Sequence, residues 1–288
     1  MDFAFSYIVL ALIYILLGLS TNLLVGIVGI FSLSQAAVFG VGAYIVANLT
    51  MMSAPLPFFV ALAVAGLACL VLNILSTLPS LRVSGHYFVV TSFGIQLLAS
   101  AIFENWTAGT GGQNGMPGIP APSLFGAELY TPLAFVSIVL PAVALGCLVF
   151  WLVLRSPFGR LLRAIREDEL AVASVGKQVL AAKVAAAALA GAFAGVAGGL
   201  FAAFMSFIDP TSFNLDASVL LLSMVVIGGA RTLLGSIVGP PIVLALPQII
   251  TLIDLPTTVA APMRQLVYGV ILIAFMLFRS QGLFGERL

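Results

Sequence analysis

Residues 56–78, LPFFVALAVAGLACLVLNILSTL, decide the fold of this protein because they form an apolar run without a single charged side chain. A helix that crosses the hydrocarbon core of a bilayer needs about 20 mostly apolar residues. Lipid offers no partner to backbone N–H and C=O groups, so a spanning segment has to satisfy them internally, as an α-helix does. The run is therefore predicted to be a membrane-spanning helix.

The composition of the whole chain agrees with this interpretation. Of its 288 residues, 62% are hydrophobic and 7% are charged, and the mean hydropathy is +1.22. Soluble domains carry about 25% charged residues, and disordered chains are poor in apolar ones. An ordinary soluble globule and a disordered chain are therefore both excluded. The net charge of +1 provides no basic field for a nucleic acid partner.

Eight other apolar runs of similar character accompany the first. We expect an all-α integral membrane protein with about nine transmembrane helices, in a single transmembrane domain covering residues 1–288. The count ranges from eight to ten because one stretch, 26–42, is interrupted by glycine and polar residues, and another run is short. Besides 56–78, the predicted spans are 5–28, 34–53, 86–104, 131–154, 184–206, 217–230, 237–254 and 265–279.

The positions of Lys and Arg predict the orientation, since these residues favour the cytoplasmic side of a membrane. If the loop 155–183 lies inside, ten of the 11 basic residues do so and only Arg264 lies outside. This arrangement places the N-terminus outside, the C-terminus in the cytoplasm and the Gly/Pro-rich loop 105–130 outside. If the stretch 26–42 crosses twice or not at all, the N-terminus moves to the other side.

The loop 155–183 is the most charged part of the chain, with nine of the 21 charged residues. Its segment from Arg160 to Val175 contains good helix formers, with apolar and charged faces, and Gly176 is a typical helix stop. We predict a short amphipathic helix. Two interpretations remain open: a solvated loop that enforces topology, or a docking helix for a cytoplasmic partner.

Enzymatic chemistry finds little support in the sequence. There is one histidine, and the two cysteines, Cys69 and Cys147, lie inside apolar runs. This excludes paired-imidazole metal sites and makes a thiolate metal site improbable. No GxxxxGK[ST] motif occurs, so the chain has no P-loop for a nucleotide. We expect no catalytic residue, no bound metal and no cofactor in this chain.

Five blocks of the sequence stand out: TNLLVGIVGIFSLSQAAVFGVGAY (21–44), TGGQNGMPGIP (110–120), GRLLRAIREDELAVASVG (159–176), SMVVIGGARTLLGSIVGP (223–240) and FRSQGLFG (278–285). In this order they resemble one family, the permease subunits of bacterial branched-chain amino acid ABC importers, and more narrowly their LivM type. Three features depart from the family pattern: Ser34 stands where glycine is usual, residues 228–232 read GGART where Gly-Gly-x-Gly-(S/T) is common, and Lys177 stands where an aliphatic residue is common.

The resemblance implies a subunit of an importer in the bacterial plasma (inner) membrane. A second, LivH-like permease would complete the pathway, two cytoplasmic ATPases would bind ATP and drive it, and an external binding protein would deliver the solute. The helix in 155–183 would be the coupling helix. The resemblance assigns ATPase coupling to Arg163, Arg166, Glu167, Asp168, Glu169, Ala171, Ala173 and Gly176.

The solute expected from the resemblance is a branched-chain or similar aliphatic amino acid. The same architecture could serve urea, short amides or another amino acid class. A channel, a secondary transporter or a membrane-embedded enzyme is a more distant alternative, and the first two would not need a charged docking helix.

Polar residues along the first two spans are candidates for lining the pathway. Transporters hold polar solutes at broken helices, and the interruption at 26–42 fits that pattern. Polar side chains in hydrocarbon more often bond a neighbouring helix, which is the alternative interpretation. The candidates are Asn22, Ser32, Ser34, Gln35 and Tyr44.

Gly191, Gly195 and Gly199 recur at a spacing of four in the span 184–206. Small residues on one face let membrane helices approach closely. Close packing inside this chain is the simpler interpretation, and contact with a second permease or sliding during gating is the alternative.

Overall fold

The fold is known from a computed structural model that describes residues 2–52, 54–81, 87–124, 127–128, 131–251, 269–270 and 282–284. Long helices dominate these ranges. The α-helices, short ones included, are α1 (Asp2–Thr21), α2 (Gln35–Met51), α3 (Phe58–Leu81), α4 (Tyr87–Asn105), α5 (Thr107–Thr110), α6 (Pro132–Arg155), α7 (Pro157–Glu167), α8 (Glu169–Ser174), α9 (Val179–Met205), α10 (Leu215–Gly228) and α11 (Leu233–Thr251).

Short elements join the long helices. A π-helical turn, Asn22–Val28, continues α1, and 3₁₀ turns cover Gly112–Asn114 and Pro210–Phe213. The strands are two-residue pieces: β1 (Met116–Pro117), β2 (Ser123–Leu124), β3 (Ala127–Glu128) and β4 (Phe207–Ile208). β1 pairs antiparallel with β4, and β2 with β3.

The described helices confirm the all-α membrane fold. Five are long and apolar enough to cross a bilayer: Ala4–Val28, Phe58–Pro79, Phe88–Asn105, Pro132–Arg155 and Val179–Met205. Three shorter apolar helices, Gln35–Met51, Leu215–Gly228 and Leu233–Ala245, coincide with the other predicted spans up to residue 254. The ninth predicted span, 265–279, lies almost wholly outside the described residues.

Helix α9 lies at the centre of the helix packing, and its glycines allow the neighbouring helices to approach it closely. A Cβ built on Gly191 would lie 2.5 Å from Cβ of Asn73, and one on Gly195 would lie 2.6 Å from Cβ of Cys69. Both neighbours belong to α3. The glycine face of α9 therefore packs inside this chain, as the simpler interpretation predicted.

The Gly/Pro-rich segment after α4 is held down by β1, which pairs Met116 with Ile208. Its glycines adopt left-handed backbone conformations, with φ of 74° at Gly111 and 69° at Gly115. Asn48 of α2 adds a side-chain bond, from Nδ2 to the carbonyl oxygen of Gly109 at 2.7 Å. The segment is therefore tied to the helix bundle by a strand pair and by Asn48.

The charged loop differs from its prediction. A single helix was expected from Arg160 to Val175, but the chain forms two, α7 and α8, separated by Asp168 in an extended conformation (φ −152°, ψ 103°). The carboxylate of Asp168 accepts a hydrogen bond from the N–H of Ala171 at 2.9 Å and so caps α8. Aspartate competes with helical backbone bonds in this way and favours a helix start over a helix interior. Gly176, with φ +79°, follows α8 as predicted.

Replacing Gly195 with alanine is expected to destabilise the protein by about 1–3 kcal/mol, the usual cost of overpacking. The new methyl group would lie 2.7 Å from the carbonyl oxygen of Ala65 and 2.6 Å from Cβ of Cys69, and neither helix can withdraw without disturbing others. Thermal unfolding of the purified protein in detergent measures the effect.

Gly94→Ala is the matched control, because a Cβ at Gly94 of α4 would have no neighbour within 4 Å. It should leave the unfolding temperature unchanged or raise it slightly, since alanine favours helix more than glycine does. Equal destabilisation by the two variants would contradict the close packing of α9.

Candidate functional site

The first spanning helix is interrupted where it meets the charged loop. After α1 the chain forms the π-helical turn, then Gly29 takes a left-handed conformation with φ +80°, and α2 begins only at Gln35. The interruption predicted within 26–42 is therefore confirmed. A π-turn widens a helix locally, and such turns occur frequently at functional sites.

Asn22 fixes the π-turn to the start of α11. Its Nδ2 donates to the carbonyl oxygen of Thr232 at 3.0 Å and to Oγ of Ser236 at 2.6 Å. Its Oδ1 accepts from the backbone N–H of Arg231 at 3.0 Å, a residue held at φ +76°. The side chain is fully buried. The amide of Asn22 is thus occupied by protein partners that fix the turn before α11.

The extended segment between the π-turn and α2 is fastened by serines from two other helices. Ser92 of α4 accepts from the N–H of Leu33 at 3.1 Å, and Ser218 of α10 donates to its carbonyl oxygen at 2.6 Å. Ser32 and Ser34 are buried and contact each other, with 3.0 Å between their hydroxyl oxygens.

Gln35 and Tyr44 are buried without a full set of partners. The Oε1 of Gln35 accepts from Oγ of Ser20 at 3.2 Å, but its Nε2 has no partner, and neither has the hydroxyl group of Tyr44. Their exposed fractions are 1% and 4%. Among the residues that the structure describes, no other buried side-chain N or O atom is without a partner. A buried unpaired donor costs about 1–3 kcal/mol, which makes these two groups candidates for contact with a solute or water.

The structure does not bring these two candidates together. Gln35 and Tyr44 are nine residues apart on α2, which corresponds to about 13 Å along the axis and to opposite sides of the helix. The aromatic ring of Tyr44 lies 5.0 Å from that of Phe103 and 5.6 Å from that of Phe213. The five predicted pathway residues therefore occupy three places: the π-turn, the start of α2, and the aromatic cluster further along α2.

Gln96 of α4 is a residue that the sequence reasoning missed. It is completely buried; its Oε1 accepts from the N–H of Ala37 at 2.9 Å, and its Nε2 donates to the carbonyl oxygen of Phe213 at 2.7 Å. It thus satisfies a free N–H in the first turn of α2. A lone glutamine inside the predicted span 86–104 was the signal that could have pointed to it.

Helix α7 is bonded directly to the interrupted helix. The guanidinium group of Arg166 donates to the carbonyl oxygen of Gly26 in the π-turn. Glu167 forms an ion pair with Arg231, with 2.8 Å between Oε1 and Nη2. Burial and the nearby charge of Arg231 lower the pKa of Arg166, whereas Glu167 raises it. Two predicted coupling residues therefore touch the π-turn and the turn before α11.

Other predicted coupling residues bond within the loop or to the neighbouring helices. Arg163 donates to the carbonyl oxygen of Leu154 at 2.9 Å, and Glu169 pairs with Lys183 of α9 at 2.6 Å. Asp168 caps α8. The charges on this loop therefore hold α7 and α8 in place as well as facing solvent.

The remaining predicted coupling residues form an exposed surface. Ala171 and Ala173 of α8 face outward, and a Cβ at Gly176 would meet nothing within 4 Å. Leu170 and Val175, which the sequence reasoning passed over, are 82% and 76% exposed. Aliphatic side chains amid the most charged stretch of the chain were the signal. We call Leu170, Ala171, Ala173, Val175 and Gly176 the α8 surface.

No three His, Cys, Asp or Glu side chains lie close enough together to hold a metal ion in the described part of the chain. The site consists instead of a broken membrane helix, the hydrogen bonds that fix it, and a charged helix pair packed against it.

Comparison with known proteins assigns the family. The family model described as "Branched-chain amino acid transport system / permease component" matches residues 3–276. The chain belongs to this family. The resemblance carried by the five sequence blocks is thereby confirmed, and with it the interpretation of the protein as a non-catalytic membrane component of a transport system.

Curated relatives of this permease family agree. The high-affinity branched-chain amino acid transport system permease protein LivM of Escherichia coli K12 is 32% identical over 297 residues, which cover 95% of this chain and 68% of the relative. LivM of Salmonella typhimurium gives the same values. A probable LivM of Methanocaldococcus jannaschii is 26% identical over 240 residues, 79% of this chain and 68% of the relative. No solved structure matches the chain.

Two glutamines of this permease are expected to respond oppositely to replacement by leucine. Gln96→Leu leaves the N–H of Ala37 and the carbonyl oxygen of Phe213 without their partner, so it should destabilise the protein by about 1–3 kcal/mol for each unpaired group. Gln35→Leu removes a donor that has no acceptor, so the stability should stay constant or rise.

Thermal unfolding in detergent compares the two variants. Ser20 keeps a partner in Gln35→Leu, because its hydroxyl also donates to the carbonyl oxygen of Ala190 at 2.7 Å. If Gln35→Leu destabilises the protein as much as Gln96→Leu does, the amide of Gln35 has a partner and is not a free donor.

Proposed function

We propose that this chain is one membrane subunit of an ATP-driven importer for branched-chain or similar aliphatic amino acids. A second, LivH-like permease completes the pathway, two cytoplasmic ATPases bind ATP and supply the energy, and an external binding protein delivers the solute. The membrane is the bacterial inner membrane, with the loop 155–183 on the cytoplasmic side, where basic residues concentrate. The family and the names of the relatives support this proposal.

The observation that carries the proposal is the direct bonding of α7 to the interrupted first helix. A displacement of α7 pulls on the carbonyl group of Gly26 through Arg166 and on Arg231 through Glu167. The backbone of Arg231 is in turn bonded to Asn22. A push delivered to the charged loop therefore reaches the π-turn by two separate contacts.

The α8 surface is the proposed docking site of the ATPase. A small exposed apolar surface surrounded by charge is typical of a protein contact, and a short helix with small residues can enter a groove on a partner. Asp168 separates the two helices, so that α7 faces the membrane helices and α8 faces away from them. We assign docking to α8 and transmission to α7.

The free donors on α2 support the transport of a solute with few polar groups. The amide group of Gln35 offers two N–H donors and the hydroxyl group of Tyr44 offers one, and both groups are buried without a partner. An aliphatic amino acid combines an apolar side chain with one carboxylate that can accept such hydrogen bonds.

Reversing either charge of the Glu167–Arg231 pair should weaken coupling. Glu167→Arg and Arg231→Glu each bring like charges together at 2.8 Å, and we expect leucine uptake per ATP hydrolysed to fall about 2- to 30-fold, the range of coupling energies of 0.5–2 kcal/mol. The double reversal restores the attraction and should recover part of the loss. Proteoliposomes containing the assembled complex provide both rates.

Lys183→Gln is the matched control, since it breaks the other ion pair of the described residues, between α8 and α9, without touching the π-turn. Its uptake per ATP should equal that of the unmodified protein. A double reversal no better than the single changes, or an equal loss in Lys183→Gln, would refute the proposed transmission.

Leu170→Glu should abolish ATPase association without unfolding the chain. The side chain is 82% exposed, so the new carboxylate costs little in the free subunit but would be buried against a docked partner. The ATPases that co-purify with the tagged chain from its host are quantified by mass spectrometry. Leu170→Met, which keeps the apolar surface, is the control, and unchanged recovery of ATPases with Leu170→Glu would exclude α8 as the docking site.

A further inference from the structure

A basic cavity lies beside α7, and Arg160 and Arg163 of that helix line it. It has a volume of about 530 Å³ and opens between the end of α6, the length of α7 and the start of α11. One part of its wall is basic and the other apolar. The basic part consists of Arg155, Arg160, Arg163 and Arg231, and the apolar part of Trp151, Leu154, Leu233 and Leu234.

The four guanidinium groups of the cavity are not balanced by an equal number of nearby acidic side chains among the described residues. Among the residues that the structure describes, no acidic side chain lines the cavity, and the only acid paired with any of the four arginines is Glu167, on Arg231. Arg160 is exposed, and its guanidinium group makes no hydrogen bond or ion pair with any residue that the structure describes. Guanidinium groups bind phosphate oxygens in a bidentate manner, so this cluster is suited to a phosphate group.

The apolar part of the wall places the cavity at the edge of the bilayer. Trp151 and Arg155 belong to the last turns of the spanning helix α6, and the guanidinium carbon of Arg155 lies 4.2 Å from the ring centroid of Trp151. Tryptophan collects at the membrane interface, between hydrocarbon and headgroups. Leu234 is 58% exposed at the same end of the protein.

We propose that this cavity binds the phosphate headgroup of an anionic phospholipid, such as phosphatidylglycerol. The arginines contact the phosphate, and the acyl chains follow Trp151 and Leu234 into the hydrocarbon. Basic pockets between membrane helices bind anionic headgroups in this way. An acidic protein segment would satisfy the arginines but would leave the apolar wall at bilayer depth uncovered, which favours the lipid. The inference does not depend on the proposed transport function.

Tryptophan quenching by brominated lipids tests the site on the full-length chain. The protein has two tryptophans, so Trp106→Phe leaves Trp151 as the only one. In vesicles, brominated phosphatidylglycerol should quench Trp151 more strongly than brominated phosphatidylcholine. One arginine near an anionic surface contributes about 1 kcal/mol, so the relative affinity for phosphatidylglycerol should fall about fivefold in Arg160→Gln and about thirtyfold in Arg155→Gln/Arg160→Gln.

Lys177→Gln removes one positive charge from the same loop outside the cavity and should leave the lipid preference unchanged. Arg160→Gln should unfold at the same temperature as the parent, because the Arg160 side chain has no hydrogen bond or ion pair to lose among the described residues, and its backbone bond to Ser156 is kept. Equal quenching by the two lipids, or an equal loss in Lys177→Gln, overturns the proposal.

Two further outcomes of the experiment would show that the ligand of the cavity is not a lipid. Displacement of phosphatidylglycerol by an equal concentration of glycerol phosphate would show that the cavity takes a free organic phosphate. Loss of the lipid preference when the ATPases are added would show that a protein surface fills the cavity. Retention of the preference in both arms supports the lipid.

Discussion

The interruption between the π-turn and α2 is possible inside a membrane protein because neighbouring helices supply hydrogen-bond partners to its backbone. Lipid supplies none, and each unsatisfied group costs several kcal/mol there. Ser92 and Ser218 bond the two backbone groups of Leu33, and Gln96 bonds the N–H of Ala37. Helices α4 and α10 are therefore fastened to the break, and the positions of α2 and α1 depend on it.

The same requirement connects the break to the charged loop. The carbonyl group of Gly26 is bonded by Arg166 of α7, and Asn22 is bonded to the turn that carries Arg231. In an uninterrupted α-helix, the carbonyl group of Gly26 would be bonded within the helix and would not be available to Arg166. The break in the first helix is thus also the place where the charged loop is bonded to the membrane helices.

The charged residues of the loop 155–183 make different contacts according to their position on α7 and α8. On α7, Arg166 and Glu167 contact the π-turn and the turn before α11, whereas Arg160 and Arg163 line the basic cavity. Asp168 ends α7 and starts α8, which directs the α8 surface away from the helices. In a single uninterrupted helix, Leu170 and Val175 would continue along the axis of α7, and the chain could not change direction at Asp168.

The sequence by itself determined the membrane class, eight of the predicted helices, the interruption within 26–42, the glycine packing of α9 and the family. These properties depend on local hydropathy, on glycine spacing and on contiguous motifs, which are complete within short stretches of chain.

The sequence predicted one helix from Arg160 to Val175, whereas the chain forms two. Helix propensity did not show that Asp168 ends the first helix and caps a second one. Sequence reasoning also grouped Gln35 with Tyr44, which α2 separates. The bond from Arg166 to Gly26 joins residues 140 positions apart. The contacts of Gln96 with Ala37 and of Glu167 with Arg231 join residues 59 and 64 positions apart. Only the tertiary structure decided these contacts, because they arise from how the helices pack and not from the residues that adjoin each partner along the chain.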